Sequence, residues 1–381
     1  MSDRPVVAHV LNAMGLGGVP QVAWQLLRRL PPDRFDLRVY SLRRAEGEED
    51  ARDALRTRLE DDGVPVTFAR VTGSMRVVAD LCDWLLAERV DLVHTHSYRP
   101  NLQGRLAALP LRGHGVRIVA HYHSVHDDKR DEDGTLTLER SLTAVTDRVI
   151  ACSRAAADHV QELLDVPPER LTVVHNAVDI ARFAGGDRGA ARAALGIPDD
   201  RPVVALVGRI DAQKGHDDYV RAAALVRAAH PRALLLLVGS TATDGVAARV
   251  RDLIRAEDVE DVVRFTGYLD DMPGLYAAID VLAAPSRSEG FGLMLVEAMA
   301  AGVPIVASAA GAIPEVVGDG PALLVPPRDP VALAAAINRV LGDHAAARRM
   351  GAAGRARAGA FSWERSARTL AAVYDEVLAG R

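Results

Sequence analysis

Two glycine-framed loops in the C-terminal half hold the residues best suited to chemistry. The first, Gly208-Arg209 to Lys214-Gly215, follows the apolar run Val203 to Val207 and precedes a helical pattern starting near Asp217. Two cations at a strand end, with glycines that let the backbone approach, suit a diphosphate. The plainer reading makes Arg209 and Lys214 ordinary solvated loop charges. The second loop, Ser286 to Gly292, reads Ser-Arg-Ser-Glu-Gly-Phe-Gly and joins a strand ending at Ala284 to a helix, Leu293 to Ala301, that Gly302 stops. Around Gly290, Phe291, Gly292 and Leu293 that helix start offers unpaired amides and about half a positive charge, a setting for phosphate oxygens. Glu289 stands before it and Glu297 one turn inside. A carboxylate can accept from vicinal hydroxyls, so Glu297 could hold a ribose and Glu289 a sugar. Alternatively Glu289 complements the helix dipole and Glu297 is an exposed helix charge, although its neighbours Leu295, Val296, Ala298 and Met299 are apolar. Tyr268, after Gly267, could flank a nucleotide base or simply be a core or surface tyrosine.

In the first half, Asn12 to Gly18 links the first strand to a helix with Pro20 in its first turn, and Gly17 and Gly18 could bring amides to a phosphate or an acceptor. No glycine stands three positions after Gly18, so the dinucleotide fingerprint is absent and a nicotinamide enzyme is disfavoured. His94 and His96 end one strand, and His121, His123 and His126 follow another. A zinc site needs three or four convergent ligands, and alternation points His94 and His96 the same way but not necessarily toward His123, so no metal is expected. The pairs Asp127-Asp128 and Asp270-Asp271 read as solvated turns, and no carboxylate is placed as a covalent nucleophile.

These residues need a frame. At 381 residues the chain exceeds the roughly 250 to 300 that one core serves, so two domains are expected. Composition is ordinary and globular, with 49% hydrophobic and 25% charged residues. A net charge of -5 argues against a nucleic-acid or anionic-membrane surface. Cys82 and Cys152 alone build neither a disulfide framework nor a zinc site. With no signal-peptide pattern and no apolar run of about 18 residues, a cytoplasmic protein without a membrane span is expected.

Strand-length apolar runs alternate with amphipathic helix-length segments, the pattern of parallel sheets covered on both faces, so the class is α/β. Strands are predicted at Val6 to Leu11, Leu37 to Ser41, Val64 to Ala69, Leu92 to Thr95, Arg117 to Ala120, Arg148 to Ala151 and Leu171 to Val174. A second set follows at Val203 to Val207, Leu234 to Val238, Val263 to Thr266, Val281 to Ala284, Ile305 to Ala307 and Leu323 to Val325. The segment Ala181 to Pro202 reads as a hinge, which gives domains over 1–183 and 184–365 and a final helix over 366–381 that packs back toward the first. Open α/β sheets bind ligands at the carboxyl ends of their strands, so a cleft between two such domains would collect the motifs.

The ordered motifs resemble the retaining glycosyltransferases of family 4, whose fold, called GT-B, sets two Rossmann-like doubly wound domains about an interdomain cleft. The resemblance is carried by Gly17-Gly18, the stretch Val174 to Phe183, Val207-Gly208-Arg209 to Lys214-Gly215, Glu289-Gly290-Phe291-Gly292 to Glu297, and Gly311 to Glu315. It implies that Arg209 and Lys214 bind the donor diphosphate, Glu289 the donor sugar and Glu297 the nucleotide ribose. It also aligns His123 with a histidine that serves the donor sugar near the reacting centre, with His121 in reserve and His96 and His121 as candidates on the acceptor side. His175-Asn176-Ala177 departs from the family's usual Pro-Asn-Gly. The activity implied is retaining transfer of a sugar from a nucleotide diphosphate sugar, the uridine kind favoured, to a small-molecule, lipid or glycan acceptor. Neither cofactor nor metal is implied. A sugar nucleotide 2-epimerase and a non-catalytic nucleotide-sugar-binding protein are the alternatives on this scaffold.

Overall fold

The computed structural model describes residues 4–15, 18–43, 49–124, 134–240 and 244–380. It divides into two compact units, one of residues 1–176 with 363–381 and one of residues 177–362.

The first unit is built on a parallel sheet of β1 Val6–Leu11, β2 Asp36–Ser41, β3 Val66–Phe68, β4 Leu92–His96, β5 Arg117–Tyr122, β6 Arg148–Ala151 and β7 Leu171–Val173. The order is β3-β2-β1-β4-β5-β6-β7. The second unit has β8 Val203–Val207, β9 Leu234–Val238, β10 Val263–Gly267, β11 Val281–Ala284, β12 Ile305–Ser308 and β13 Ala322–Val325, in the order β10-β9-β8-β11-β12-β13. Both are doubly wound Rossmann-like sheets, as the alternating pattern implies. Their strand order reverses between β1 and β4 and between β8 and β11, the places where such sheets receive ligands.

Central strands are apolar on both faces because helices cover both: every residue of β9 is buried, as is all of β11. Edge strand β3 is shorter than its apolar run; among the described residues it pairs only with β2, and its residues are partly buried. The helix Arg154–Leu164 shows how the covering layer forms. Ser153 caps it by accepting from the Ala156 amide at 3.0 Å, and its buried side chains Ala156, Ala157, Val160 and Leu164 make one stripe.

The final helix, Trp363–Ala379, belongs to the first unit. Ser366 Oγ donates to the His175 carbonyl at 2.6 Å, Glu364 pairs with Arg29 at 3.1 Å and Glu376 with Arg148, while Tyr374 is fully buried. Residues 181–202, read from sequence as a hinge, are pinned within the second unit. Arg192 is fully buried and donates to the carbonyls of Ala278, Pro198, Asp199 and Arg201 and to Asp280, and Phe183 packs edge-on to Tyr276. Among the described residues no helix is long and apolar enough to cross a membrane.

Candidate functional site

In the second unit the two predicted loops lie side by side beyond β8 and β11. Arg287 N donates to the Gln213 carbonyl at 2.7 Å, and a Cβ on Gly215, whose φ is 68°, would stand 2.1 Å from the Pro285 carbonyl oxygen. Only glycine permits that approach. Gly239 serves the same end, since a Cβ there would meet the Gly208 carbonyl oxygen at 2.0 Å. Asp211 shapes the turn Ala212–Lys214 by accepting from the amides of Gln213 and Lys214 at 3.0 and 3.2 Å, and it pairs with Arg209 at 3.1 Å.

Lys214 Nζ sits 2.6 Å from Glu289 Oε2, with both side chains largely buried, and Ser286 Oγ donates to the same oxygen at 3.4 Å. The cation and carboxylate that the sequence singled out are therefore partners of each other. Beyond them the helix Leu293–Ala301 begins at Gly292, whose φ of 84° favours glycine and whose position carries no side-chain cap. A helix start without a side-chain cap is a place where an anion can be received. A Cβ on Gly311 would come within 2.3 Å of the Glu289 carbonyl oxygen, so the loop after β12 braces Glu289 from behind. Phe291 turns inward, buried edge-on against Phe361 at 5.4 Å, and supplies this loop with backbone only.

Glu297 is not the solvated helix charge of the plainer reading. Its Oε2 accepts from the Tyr276 hydroxyl at 2.8 Å. Burial holds the carboxyl above its ordinary range, against the opposing pull of Tyr276 and Arg182, and burial beside Glu297 pushes Tyr276 far up. Sequence reasoning missed Tyr276, which lies on the helix Met272–Ala278 with no local signal linking it to Glu297. Tyr268 is 53% exposed, free to meet a ligand. Asp271 caps the helix Met272–Ala278 by accepting from Gly274 N at 2.9 Å, which gives this member of the acidic pair a structural duty.

In the first unit Gly18 starts the helix Gly18–Leu27, while Gly17, His126 and Asp127-Asp128 lie outside the described residues. His9, absent from the sequence reading, stands opposite His94 in the β1–β4 register, and His96 opposite His121 in the β4–β5 register. In-register neighbours share a face, and so do residues two apart on a strand, so His9, His94, His96 and His121 lie together with His123 just beyond. The convergence that strand alternation left open is thereby established. His96 Nδ1 lies 3.1 Å from His123 Nε2, His96 Nε2 is 2.9 Å from His9 Nδ1, and Tyr374 Oη lies 2.9 Å from His9 Nε2 and 2.5 Å from His94 Nδ1. Burial pushes His9 and His123 down to about 3 and the other three well below the usual range, so all are neutral at neutral pH.

The same unit has a cavity of about 1060 Å³ at the carboxyl ends of β1 to β3, lined by Asn12, Arg43, Arg70, Thr72, Arg99 and Gln103 among others. Its arginines give it a positive wall, and Arg70 is partly committed to Asp80 at 2.6 Å.

Comparison with known proteins agrees with this layout. A family described as "Glycosyl transferases group 1" matches residues 187–357, and one described as "Glycosyltransferase Family 4" matches residues 16–182. The D-inositol 3-phosphate glycosyltransferase of Salinispora tropica is 35% identical over 320 residues, which cover 77% of this chain and 65% of that one. Its namesake in Kineococcus radiotolerans is 34% identical over 320 residues, covering 77% and 74%. Among solved structures, Anabaena HepE in complex with UDP-glucose has a TM-score of 0.85 at 24% identity, with 97% and 99% coverage. Sucrose-phosphate synthase from Thermosynechococcus elongatus has a TM-score of 0.80 at 26% identity, with 99% and 100% coverage.

Proposed function

The chain belongs to the group 1 and family 4 glycosyltransferases, and we propose that it moves a sugar from a nucleoside diphosphate sugar, with uridine as the base, onto a small phosphorylated polyol. The observation that carries the donor half is the Lys214–Glu289 pair set beside the uncapped helix start at Gly292. A diphosphate entering there takes Lys214, Arg209 and the helix amides, and Glu289, released from Lys214, turns to the sugar hydroxyls. Glu297 accepts from the ribose. HepE, of the same fold, holds UDP-glucose.

Transfer proceeds with retention. The bond from the sugar to the phosphate oxygen breaks while the acceptor oxygen bonds the same face, and the acceptor proton passes to the leaving phosphate. Neutral His123 orients the donor sugar. The barrier falls through positioning and through neutralisation of the leaving diphosphate by fixed cations and amides, so the diphosphate itself requires no metal.

The acceptor half rests on the positive cavity of the first unit and on the D-inositol 3-phosphate glycosyltransferase relatives. Arginines recognise phosphate by bidentate, charge-assisted bonds. Product formation followed by mass spectrometry, with UDP-sugars and either inositol phosphate or free inositol, tests this: turnover with the phosphorylated acceptor alone is expected. Equal turnover of both would refute phosphate recognition.

A further inference from the structure

His121 is fully buried, and neither of its ring nitrogens has a hydrogen-bond partner. Leaving a buried polar atom unsatisfied is costly, so such a residue calls for a partner. One nitrogen from each of His96, His121 and His123 lies within 4.8 Å of the others, and the His96–His123 pair is 3.1 Å apart. Nitrogens bound at about 2.0–2.1 Å to a tetrahedral zinc stand roughly 3.3–3.4 Å from one another.

We propose that His96, His121 and His123 form a three-imidazole site for a zinc-class divalent cation, with a fourth position left for water or a substrate oxygen. The surrounding hydrogen bonds suit that assignment. Ligation through His96 Nδ1 moves its proton to Nε2, which then donates to His9 Nδ1. His9 Nε2 donates to the Tyr374 oxygen, and the Tyr374 hydroxyl donates to His94 Nδ1. Each proton down to His94 finds an acceptor, which gives His96 the outer support that metal-bound histidines usually have. The other close triad, His9, His94 and His96, fits less well, because it leaves both His121 nitrogens unpartnered. Ligation there would leave His9 and His94 both donating to the Tyr374 oxygen, with no acceptor for the hydroxyl's own proton. No carboxylate belongs to either triad, so the ion would be of the kind imidazole favours, zinc before magnesium.

One consequence rests on the function proposed above: a bound ion occupies His123 and so inhibits transfer. The test titrates Zn²⁺ into the full chain, stripped of metal and of any affinity tag, by calorimetry. One ion per chain is expected, with affinity at least about tenfold weaker in His121→Gln and unchanged in His344→Gln, a substitution at an exposed position. Should His121→Gln not fold, Co²⁺ added to the unaltered chain gives the second reading: an intense visible spectrum of tetrahedral type, lost on adding Zn²⁺, is expected. Absence of binding, binding insensitive to His121→Gln, or a weak octahedral Co²⁺ spectrum overturns the site. Binding that passes these tests without inhibiting transfer supports the site and removes His123 from the reaction.

Discussion

Replacing Lys214 with alanine should cost nucleotide affinity and leave Glu289 opposing the phosphates. A charge-assisted bond to a phosphate is worth about 1.5–3 kcal/mol, or roughly 12- to 150-fold in Kd. In the unaltered chain binding must also open an ion pair. Lys214 and Glu289 are 2.6 Å apart with side chains only 17% and 13% exposed, and the other bond to that carboxylate oxygen is a long one from Ser286 at 3.4 Å. Removing the lysine leaves a largely buried negative charge unpaired where the phosphates must enter, and it also removes the cost of opening the pair. Because the variant has no pair to open, Lys214→Ala should fall within that range rather than beyond it. Glu289→Gln introduced into the same chain should recover about tenfold or more, because the stranded charge is gone. Arg209 is 64% exposed, so its side chain must be immobilised on binding, and Arg209→Ala should fall at the lower end, about 1.5 kcal/mol. Calorimetry with UDP distinguishes these cases. Unchanged affinity in Lys214→Ala, or a double variant no better than the single, would refute the reasoning.

Other outcomes follow from neighbouring residues. Glu289→Ala should depress transfer far more than it depresses UDP affinity, since its partner is the sugar; equal losses would contradict that role. Glu297 binds ribose as a carboxylate, and burial raises its pKa while Tyr276 lowers it, so UDP affinity should fall with decreasing pH through a midpoint above the ordinary glutamate value. Tyr276→Phe should move that midpoint upward, and an unmoved or lowered midpoint would remove Tyr276 from the account. Gly239→Ala places a Cβ 2.0 Å from the Gly208 carbonyl oxygen and should cost about 1–3 kcal/mol, seen as a melting temperature lower by several degrees. Arg99→Ala should raise KM for a phosphorylated acceptor several-fold while UDP affinity stays constant, and a change in UDP affinity would place Arg99 elsewhere.

The sheets were legible in the sequence because strands buried on both faces are plain apolar runs closed by glycines, as at Val203 to Val207 before Gly208. The helix Leu293–Ala301 was legible because glycines mark both of its ends. Residues whose meaning depends on distant partners were not. His9 acquires its place from a register with a strand more than 80 positions away, and Tyr374 from a helix that returns to the first unit at the end of the chain. Tyr276 meets Glu297 only through packing between two helices. The hinge reading of residues 181–202 failed to see Arg192, because glycines and prolines look alike whether a segment is loose or tied down by buried carbonyl bonds.

The account turns on the second unit as a pyrophosphate cradle, and a crystal structure of the chain soaked with UDP-glucose examines it most directly. The account predicts pyrophosphate oxygens within hydrogen-bonding distance of Lys214 Nζ and of the amides at the start of the helix Leu293–Ala301, with the Lys214–Glu289 pair parted. Nucleotide density elsewhere, with that pair still closed, would contradict it.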